Sequence, residues 1–509
     1  MHNKILNIKS LAKKIHHLKL KNKKVVLCHG VFDILHIGHI NHFNSAKKLG
    51  DVLVVSVTPD KYVNKGPNRP IFSLKLRMQS LAALKNIDYV TANISDTAIY
   101  PIINLKPNIY CKGQDYKDSK LDVTGNIKKE LKAIKKVGGG IHYTKDGLFS
   151  SSKIINESSL NLTDQQENFL KSIKNDKNKQ NLNIQKTTSS FSKLKVLVIG
   201  ETIIDEYVYC DALGKSGKEP VLAVKNLYSK KFLGGTLSIA RNLSNFCKKV
   251  TVLSYIGEKK EQLSFLKTNL KKNINPIFIP KKNSCTIVKK RFVDEVSKMK
   301  ILGVYSIEDQ LINKKEEKIL IKNILQQIKK HDLVIVSDFG HGLITDRIAK
   351  LIVKKSKFIA VNAQLNAANV GFHTISKYKK ADLIIINENE MRHELRNKSE
   401  SLEILLKQLG KKINSKVITV TSGNRGSTTF LKKDNKIIKC PAFAFKVLDK
   451  IGAGDTMLAF LAMSVFKKID VKLSMFISSL AAAFNVESEA NSKLIQKDEL
   501  IRSAEAYLK

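Results

Sequence analysis

The sequence predicts an α/β protein built from two doubly wound domains. Short apolar runs alternate with helical segments over residues 25–110, and the same alternation starts again at residue 195. Alternation of buried strands with helices is typical of a parallel sheet covered by helices on both faces. A polar stretch separates the two series, and 509 residues are enough for several domains at about 150 residues each.

The composition is that of a globular protein with an unusual charge. Hydrophobic residues make up 43% of the chain, which excludes disorder throughout and a small disulfide scaffold. The net charge is +44, and lysine supplies nearly all of the excess. Because base-edge and bidentate phosphate recognition favour arginine, this charge indicates compositional drift and some benefit for anionic substrates. We expect no specific nucleic-acid partner.

Cysteine usage and hydropathy indicate the cytoplasm. None of the six cysteines forms a C-x-x-C pair, so neither a zinc knuckle nor a redox motif is predicted, and free thiols fit a reducing compartment. Residues 1–24 carry Lys and His without an apolar segment and do not resemble a signal peptide. No run of 18 apolar residues occurs, so no membrane association is expected.

The elements of the first domain follow in order. A helical arm is predicted at 8–20, a buried strand at 25–27, a helix at 37–49 and a strand at 52–57. A helix at 74–84 and strands near Tyr89 and Ile109 complete the series. We place this domain at residues 1–158.

A connecting region and a larger domain follow. A helix is predicted at 165–173, and the Lys, Asn, Gln, Ser and Thr residues of 175–192 indicate a linker, so 159–193 is a helix with a polar linker. A strand begins at Lys195, and further strands are predicted at 250–254, 333–337, 358–361, 383–386 and 417–421. The second domain is therefore placed at 194–509.

The first motif is His36-Ile37-Gly38-His39, at the start of a predicted helix. Two imidazoles at this spacing can converge on one anion, where the helix dipole and free N–H groups already favour phosphate. Such an arrangement suits nucleotidyl transfer, in which charge builds on phosphate oxygens and on leaving pyrophosphate. A chance pair of histidines and a metal-binding pair are the alternatives that this motif alone leaves open.

Four stretches around this motif occur in a set order: residues 30–39, 65–70, 112–116 and 149–155. Their order and spacing resemble the nucleotidyltransferase family that includes glycerol-phosphate cytidylyltransferase and the adenylyltransferase half of ADP-heptose synthase. The resemblance implies a Rossmann-like fold in which His36 and His39 stabilise the transition state. It implies nucleotide binding by Gly30, Phe32, Lys65, Arg69, Lys112, Asp115, Ser151 and Ser152. For Arg69 and Arg77, a structural ion pair is an equal alternative.

The second motif is Gly452-Ala453-Gly454-Asp455, which precedes an apolar helical segment. Small residues at a helix N-terminus expose backbone N–H groups that form an anion hole for a phosphoryl group. Asp455 is then placed to accept the proton of an attacking hydroxyl. A tight turn between a strand and a helix is the structural alternative for this motif alone.

Other features of the second domain decide between these interpretations. Gly234-Gly235 precedes a helix, Asn387 and Glu390 are spaced as Asn-x-x-Glu after a buried strand, and a Thr-Ser-Gly stretch follows at 421–423. This set, in this order, resembles the ribokinase-like (PfkB) sugar kinases over residues 195–509.

The resemblance implies roles for individual residues. Asp455 is the base, and the anion hole is formed by Gly452, Ala453 and Gly454. Asn387 and Glu390 organise Mg²⁺ indirectly, and the ATP site is lined by Thr421, Gly423 and Gly426. Sugar binding is expected of Asp205, Gly234, Gly235, Ser238 and Lys289.

Within that family, the second domain is most similar to the heptose-phosphate kinase half of bifunctional ADP-heptose synthase-like proteins. Stretches 218–221, 286–291 and 338–342 carry this similarity. The domain order is reversed, because the transferase leads here. Three sites also depart from the family pattern: Ser238 replaces Asn, His341 replaces Lys, and residues 362–364 read Asn-Ala-Gln instead of Asp-Pro-Lys. These departures point to an altered sugar, with a kinase half that only binds or scaffolds as the alternative.

The combined resemblance implies a cytoplasmic, Mg²⁺-dependent bifunctional enzyme. ATP would phosphorylate a heptose phosphate or related sugar at C1, and nucleotidyl transfer to the sugar 1-phosphate would give ADP-heptose and pyrophosphate for lipopolysaccharide or another surface glycan. The alternative is a CTP-dependent cytidylyltransferase for another sugar or polyol phosphate, with a divergent or sensor-like kinase domain. A homodimer through the kinase domain is expected by analogy alone.

Overall fold

The computed structural model describes residues 4–63, 69–114, 126–144, 162–175, 183–366, 369–370 and 373–508. The chain forms two compact units, residues 1–161 and residues 162–504.

The first unit contains a five-stranded parallel sheet in the order β3-β2-β1-β4-β5. Its strands are β1 (Val25–Gly30), β2 (Val52–Val57), β3 (Tyr89–Ala92), β4 (Ile109–Gly113) and β5 (Gly140–Thr144). Successive strands run outward from β1 to one side and then from β4 to the other. The carboxyl ends of β1 and β4 therefore flank a topological switch point, where doubly wound sheets bind ligands.

Helices cover both faces of this sheet. They are α1 (Ile8–Leu20), α2 (Ile37–Lys47), α3 (Leu74–Ala82), α4 (Ile99–Leu105) and α5 (Asn126–Lys136). Alternate residues of β1 enter two separate cores: Val26 and Cys28 join one cluster, and Val25 and Leu27 join the other. A strand that is buried on both faces explains the continuous apolar run that predicted it.

The second unit is built around a nine-stranded sheet. Its order is β10-β9-β6-β13-β14-β15-β16-β17-β18, with the last two pairings antiparallel and the others parallel. The strands are β6 (Lys195–Gly200), β9 (Lys249–Gly257), β10 (Ile274–Lys281), β13 (Leu333–Asp338), β14 (Ile359–Ala363), β15 (Lys380–Asn387), β16 (Asn414–Thr421), β17 (Ser427–Leu431) and β18 (Lys436–Cys440).

The second unit contains the following described helices, several of which contact that sheet and the last of which extends beyond residue 504. They are α6 (Asp164–Lys174), α7 (Ile184–Ser190), α8 (Thr236–Ser244), α9 (Leu263–Asn269), α10 (Lys314–Ile328), α11 (Asp346–Lys355), α12 (Glu388–Leu395), α13 (Leu402–Lys412), α14 (Ala453–Phe466), α15 (Val471–Val486) and α16 (Lys497–Leu508). The most apolar of them, α14, is buried over most of its length from Asp455 to Ser464.

A second, four-stranded sheet belongs to the same unit, and we call it the small sheet. Its order is β12-β11-β7-β8, formed by β7 (Thr202–Lys215), β8 (Leu222–Gly235), β11 (Ile287–Asp294) and β12 (Lys300–Ser306). Most residues of β8 and β12 are exposed. Their apolar side chains are largely exposed and do not form a continuous buried run, so these two strands were not predicted from the sequence.

The predicted fold class, two doubly wound α/β domains, is confirmed. The arm helix has the predicted bounds, whereas the predicted linker contains the helix α7. The Asn183 side chain caps α7 by accepting from Lys186 N at 2.8 Å, and its Ile184 is buried. None of the helices described here is long and apolar enough to span a bilayer.

Candidate active sites

The N-terminus of α2 presents the two predicted histidines together. His36 is the N-cap residue, and its Nδ1 accepts from Gly38 N at 3.1 Å. Since Nδ1 accepts, a neutral His36 carries its proton on Nε2, which makes that atom a donor. The ring centroids of His36 and His39 lie 4.0 Å apart. Both imidazoles therefore stand at a helix N-terminus that follows the carboxyl end of β1, as the motif predicted.

Gly30 and Phe32 shape the floor beside these histidines. The Phe32 ring meets the His39 ring edge to face, with centroids 5.4 Å apart. Phe32 has φ of 51°, and a Cβ at Gly30 would lie 2.8 Å from its ring. Any side chain at Gly30 would displace the ring that supports His39.

Arg69 forms the structural ion pair that was its alternative role, and its two Nη atoms remain available as donors. Its Nε donates to Asp33 at 2.7 Å, and both side chains are only 1% exposed. Asp33 also accepts from the backbone N–H groups of Ile71 and Phe72, each at 2.9 Å. The two Nη atoms of Arg69 are buried without a hydrogen-bond partner among the described residues. An anionic ligand would satisfy them.

Two other basic side chains of this unit are held by the fold. Arg77 donates to Asp60 and to the carbonyl oxygens of Val31 and Thr58, which supports its structural alternative. Lys112 lies with its Nζ 3.5 Å from Glu130. The predicted nucleotide-binding residues Lys65, Asp115, Ser151 and Ser152 lie outside the described residues.

The second unit has a cavity of about 1100 Å³ into which most of its predicted site residues project. These are Asp205, Gly235, Lys289, Asn387, Glu390, Thr421, Gly423, Gly426, Gly452, Ala453, Gly454 and Asp455. The residues come from segments separated by as many as 250 positions, so the sequence motifs converge on one site. Gly234 and Ser238 lie outside the lining, and Ser238 is buried within α8.

The turn before α14 has the geometry of an anion hole. Gly452 is the N-cap with φ of 83°, a left-handed conformation, and a Cβ there would lie 1.9 Å from Asn491 Oδ1. Gly452 therefore has neither the conformation nor the space for another residue. A Cβ at Gly454 would meet nothing within 4 Å. No N-cap side chain accepts from the first N–H groups of this helix, and Gly452, Ala453 and Gly454 line the cavity.

Asp455 lies in the first turn of α14 and is 7% exposed. Burial, reinforced by the charge of Asp205, raises the pKa of Asp455 to about 7. The positive charge of Lys289 and a hydrogen bond from Gln364 Nε2, at 3.2 Å, act in the opposite direction. A carboxylate with a pKa near neutrality is suited to take up a proton during a reaction.

Cationic and anionic groups meet at the small-sheet side of the cavity. Asp205 on β7 accepts from Arg291 Nη1 at 2.5 Å, and Lys289 is its register partner on β11. Burial lowers the pKa of Lys289. Gly234 is required behind this pair, because a Cβ there would lie 2.3 Å from Asp205 Oδ2. The arrangement offers a hydrogen-bond acceptor beside two cations.

Asn387 and Glu390 form a capping box at the start of α12. Glu390 N donates to Asn387 Oδ1 at 2.8 Å, and Asn387 N donates to Glu390 Oε2 at 2.7 Å. Burial raises the pKa of Glu390 to about 7. Glu390 lines the cavity and has no ion-pair partner among the described residues. A buried carboxylate in that position fits a hydrated divalent cation nearby.

Two family models match the chain. One, described as pfkB family carbohydrate kinase, matches residues 193–497. The other, described as cytidylyltransferase-like, matches residues 27–157. The chain belongs to the pfkB family of carbohydrate kinases. The predicted family resemblance and the predicted order, with the cytidylyltransferase-like part first, are confirmed.

Several curated relatives of this pfkB family chain share one name. A bifunctional protein HldE from Campylobacter jejuni strain RM1221 is 30% identical over 315 residues, 61% of this chain and 65% of that protein. The bifunctional protein HldE of Helicobacter pylori strain G27 is 29% identical over 315 residues, with coverages of 60% and 65%. The chain thus spans 65% of the length of these relatives.

Solved structures share the pfkB kinase fold. Phosphofructokinase-2 from Escherichia coli, in its tetrameric inhibited form, has a TM-score of 0.50 at 13% identity and covers 62% of this chain and 100% of its own. The microbiome-derived acarbose kinase Mak1 has the same TM-score, identity and coverages. At such identities the likeness shows the fold.

The departures from the family pattern occupy different places in this pfkB kinase. Gln364 lines the cavity and reaches Asp455, and Asn362 lines the cavity as well. His341 lies outside the lining, is fully buried and has Nδ1 2.6 Å from Asp309 Oδ1. Burial lowers the pKa of His341, so it does not supply the fixed charge of the usual lysine.

Two contributors to the kinase cavity were not predicted from the sequence. Arg291 belongs to a recognised strand motif but was given no role, although Lys289 and Arg291 alternate on β11 and so share one face. The other is the segment at α6, where Thr163, Gln165 and Gln166 line the cavity. Gln166 Nε2 donates to Ala442 O at 2.6 Å. No local pattern marks these polar residues as a cavity wall.

Proposed function

We propose that this chain is a cytoplasmic, Mg²⁺-dependent bifunctional enzyme that makes a nucleotide sugar. Its kinase unit transfers a phosphoryl group from ATP to C1 of a heptose phosphate or a related sugar. Its first unit joins the resulting sugar 1-phosphate to a nucleotide, giving ADP-heptose and pyrophosphate. The observation that carries the proposal is Asp455, a buried acid with a pKa of about 7 at an open helix N-terminus.

In the kinase reaction, Asp455 accepts the proton of the C1 hydroxyl as its oxygen attacks the γ-phosphorus of ATP. The bond between that phosphorus and the bridging oxygen breaks, and ADP leaves. The N–H groups of Ala453 and Gly454 stabilise the charge on the transferred phosphoryl group, because both residues line the cavity at a helix N-terminus without a side-chain cap. Mg²⁺, held through water by Asn387 and Glu390, would neutralise charge on the phosphates.

The substrate class follows from the charges at the small-sheet side. Asp205 can accept from sugar hydroxyls, while Lys289 and Arg291 supply two positive charges in the same wall. A neutral sugar needs acceptors and donors but no pair of half-buried cations, of which Arg291 already pairs with Asp205. A sugar that already carries a phosphate satisfies both kinds of group.

In the transferase reaction, a phosphate oxygen of the sugar 1-phosphate attacks the α-phosphorus, and pyrophosphate leaves. His36 Nε2 and the His39 imidazole stabilise charge on the phosphates. The free Nη donors of Arg69 serve the same purpose. The attacking oxygen is already anionic, so no general base is required.

A second candidate function has the same two folds but uses CTP in place of ATP in the transferase reaction. The description of the family model that matches residues 27–157 favours a CTP-dependent cytidylyltransferase for another sugar or polyol phosphate. The kinase half would then be divergent or serve as a sensor.

The deciding experiment measures pyrophosphate release by the whole chain with heptose 1-phosphate, comparing ATP with CTP. His39→Ala is the blank. Release with ATP alone supports ADP-heptose synthesis, and release with CTP alone supports the second candidate. Absence of release with both nucleotides would overturn the sugar assignment.

We also propose a homodimer through the kinase unit. The small sheet exposes apolar side chains, among them Leu213, Leu222, Leu302, Val304 and Tyr305. Pairing of two such sheets would remove this surface from water. Sedimentation of the whole chain should give twice the monomer mass, and Leu302→Lys should give monomers. A monomeric wild-type chain would refute the dimer.

A further inference from the structure

Asp449 is an unusually well-connected carboxylate near the anion hole. It precedes Gly452 by three positions and is 6% exposed. Its oxygens accept four hydrogen bonds: from Tyr207 Oη, from Lys300 Nζ at 2.6 Å, from Ile451 N at 3.1 Å and from Ala490 N at 3.1 Å.

The four donors come from two different parts of the kinase unit. Tyr207 lies on β7 and Lys300 is the first residue of β12, so both belong to the small sheet. Ile451 belongs to the turn that leads into Gly452, and Ala490 precedes Asn491, the residue that contacts Gly452. One carboxylate therefore ties the small sheet to both backbone segments that shape the anion hole.

An apolar cluster joins the same two parts. Tyr207, Tyr209 and Val293 of the small sheet are buried together with Ala490, and Ile451 packs against them. The hydrogen bonds to Asp449 thus lie beside an apolar contact between the small sheet and the turn that contains Ile451. Directional polar bonds above an apolar contact fix the distance and also the orientation of the parts they join.

The charge balance shows why Lys300 matters within this group. Burial alone would raise the pKa of Asp449, but the bonds from Lys300 and Tyr207 more than offset this effect and lower the pKa below its usual value. Asp449 is therefore ionised at neutral pH. Lys300 supplies the positive charge at 2.6 Å. Without that charge, a buried carboxylate would keep only neutral donors.

We infer that Lys300 and Tyr207 are positioning residues for phosphoryl transfer, acting through Asp449. They hold the turn at residues 451–454 in register with the small sheet, which carries Asp205, Lys289 and Arg291 on β7 and β11. The sugar-binding groups and the anion hole are thereby fixed relative to each other. This inference rests on the proposed kinase function, and it assigns to Lys300 a role that its sequence context does not indicate.

The test begins with a readout that needs no substrate. Amide hydrogen–deuterium exchange is measured on the whole chain for the segment 449–455. Lys300→Met should speed exchange there by about tenfold or more, the change expected on loss of a charged hydrogen bond worth roughly 1.5–3 kcal/mol. Lys300→Arg should restore slow exchange. Lys298→Met is the matched control, because Lys298 is a nearby exposed lysine that pairs with half-buried Glu295 and is not among the donors to Asp449.

Kinetics with a sugar that the wild-type chain phosphorylates supply the second readout. Lys300→Met should lower kcat by about 10-fold to 100-fold, and the KM for ATP should change little, because Lys300 is not among the residues that line the cavity. Tyr207→Phe retains the aromatic ring in the cluster and removes only the hydroxyl. Tyr207→Phe should also lower kcat with little change in the KM for ATP, but by a smaller factor than Lys300→Met. Because the ring stays in the cluster, such a loss would not be explained by a general folding defect.

The outcomes separate this inference from the proposed function. Unchanged exchange in both Lys300→Met and Tyr207→Phe would overturn the positioning role even if the kinase is active. Faster exchange in a chain that phosphorylates no sugar would support the connection and refute the kinase. A loss of kcat in Lys298→Met equal to that in Lys300→Met would also overturn the inference.

Discussion

The two units each place a motif at a helix N-terminus after a strand, yet they fill that position with opposite chemistry. At α2 the groups are donors: His36 caps the helix and His39 stacks near it. At α14 the cap is a bare glycine, and the functional group is Asp455, an acid whose pKa burial raises to about 7. In the proposed function, one site receives negative charge, and the other also removes a proton.

This difference matches the two nucleophiles of the proposed reactions. A sugar hydroxyl must lose its proton as it attacks phosphorus, so its site needs a base. A sugar phosphate is anionic before it attacks, so its site needs only donors. A helix N-terminus therefore serves both proposed reactions, although His36 caps α2 in an extended conformation and Gly452 caps α14 in a left-handed one. In this proposal, the side chains near that terminus decide which nucleophile is used.

Removal of the proposed base, Asp455, should have the largest effect on the difference between the two sites. Asp455→Asn should lower kcat of the kinase about 10³-fold, because the amide cannot accept the proton. Pyrophosphate release by the first unit should stay at the wild-type rate. Separate assays of ADP and pyrophosphate on one preparation measure both effects. Retention of kinase activity would favour the sensor-like alternative for this domain.

The reciprocal change removes a donor. His39→Ala should lower the transferase rate about 10²-fold, since transition-state charge loses one hydrogen bond, and kinase activity should not change. His42→Ala serves as a control on the same helix, because its Nδ1 lies 2.9 Å from Thr144 Oγ1. Equal losses in the two variants would indicate damage to α2 in place of a catalytic role.

Kinase activity should also depend on pH through the ionisation of Asp455. Asp455 acts in its ionised form, so kinase kcat/KM should fall about tenfold per unit as pH drops below about 7 and level off above it. That limb should be missing from the Asp455→Asn variant. The comparison is made from pH 5.5 to 8.5 at saturating Mg²⁺. A flat wild-type profile would contradict the assignment of Asp455 as the base.

The smallest effect concerns Gln364. Its hydrogen bond to Asp455 favours the ionised acid, so Gln364→Leu should raise the pKa of Asp455 and move the acidic limb to higher pH. A bond of about 1 kcal/mol corresponds to roughly 0.7 pH unit and a fewfold loss at pH 6.5. Gln364→Glu should move the limb further in the same direction. A limb that does not move would mean that Gln364 has no electrostatic influence on the base.

Much of the fold and of the candidate site could be predicted from the sequence, for a local reason. The strands of the main sheets are buried on both faces, so their apolar runs are continuous, as in β1 and β6. The two motifs likewise act through backbone geometry at a single turn. For this reason His36, Gly452 and Asp455 could be identified from short stretches.

The remaining features depend on contacts between distant residues. Strand β12 has an exposed pattern and becomes a strand only by pairing with β11. Gln364 and Asp455 are 91 positions apart, and nothing near either residue indicates the other. The capping box of Asn387 and Glu390 is local, and the Asn-x-x-Glu spacing already indicates it; the position of both residues at the cavity depends on the fold.

The wall formed by Thr163, Gln165 and Gln166 has a practical consequence for taking the protein apart. It precedes residue 194, where the sequence places the start of the kinase, yet Gln166 holds the backbone of Ala442 at the cavity. A fragment that starts at residue 194 would therefore lack part of its own binding site. A gene segment that encodes the complete kinase cavity, whether cloned or fused to another gene in evolution, therefore begins no later than residue 162.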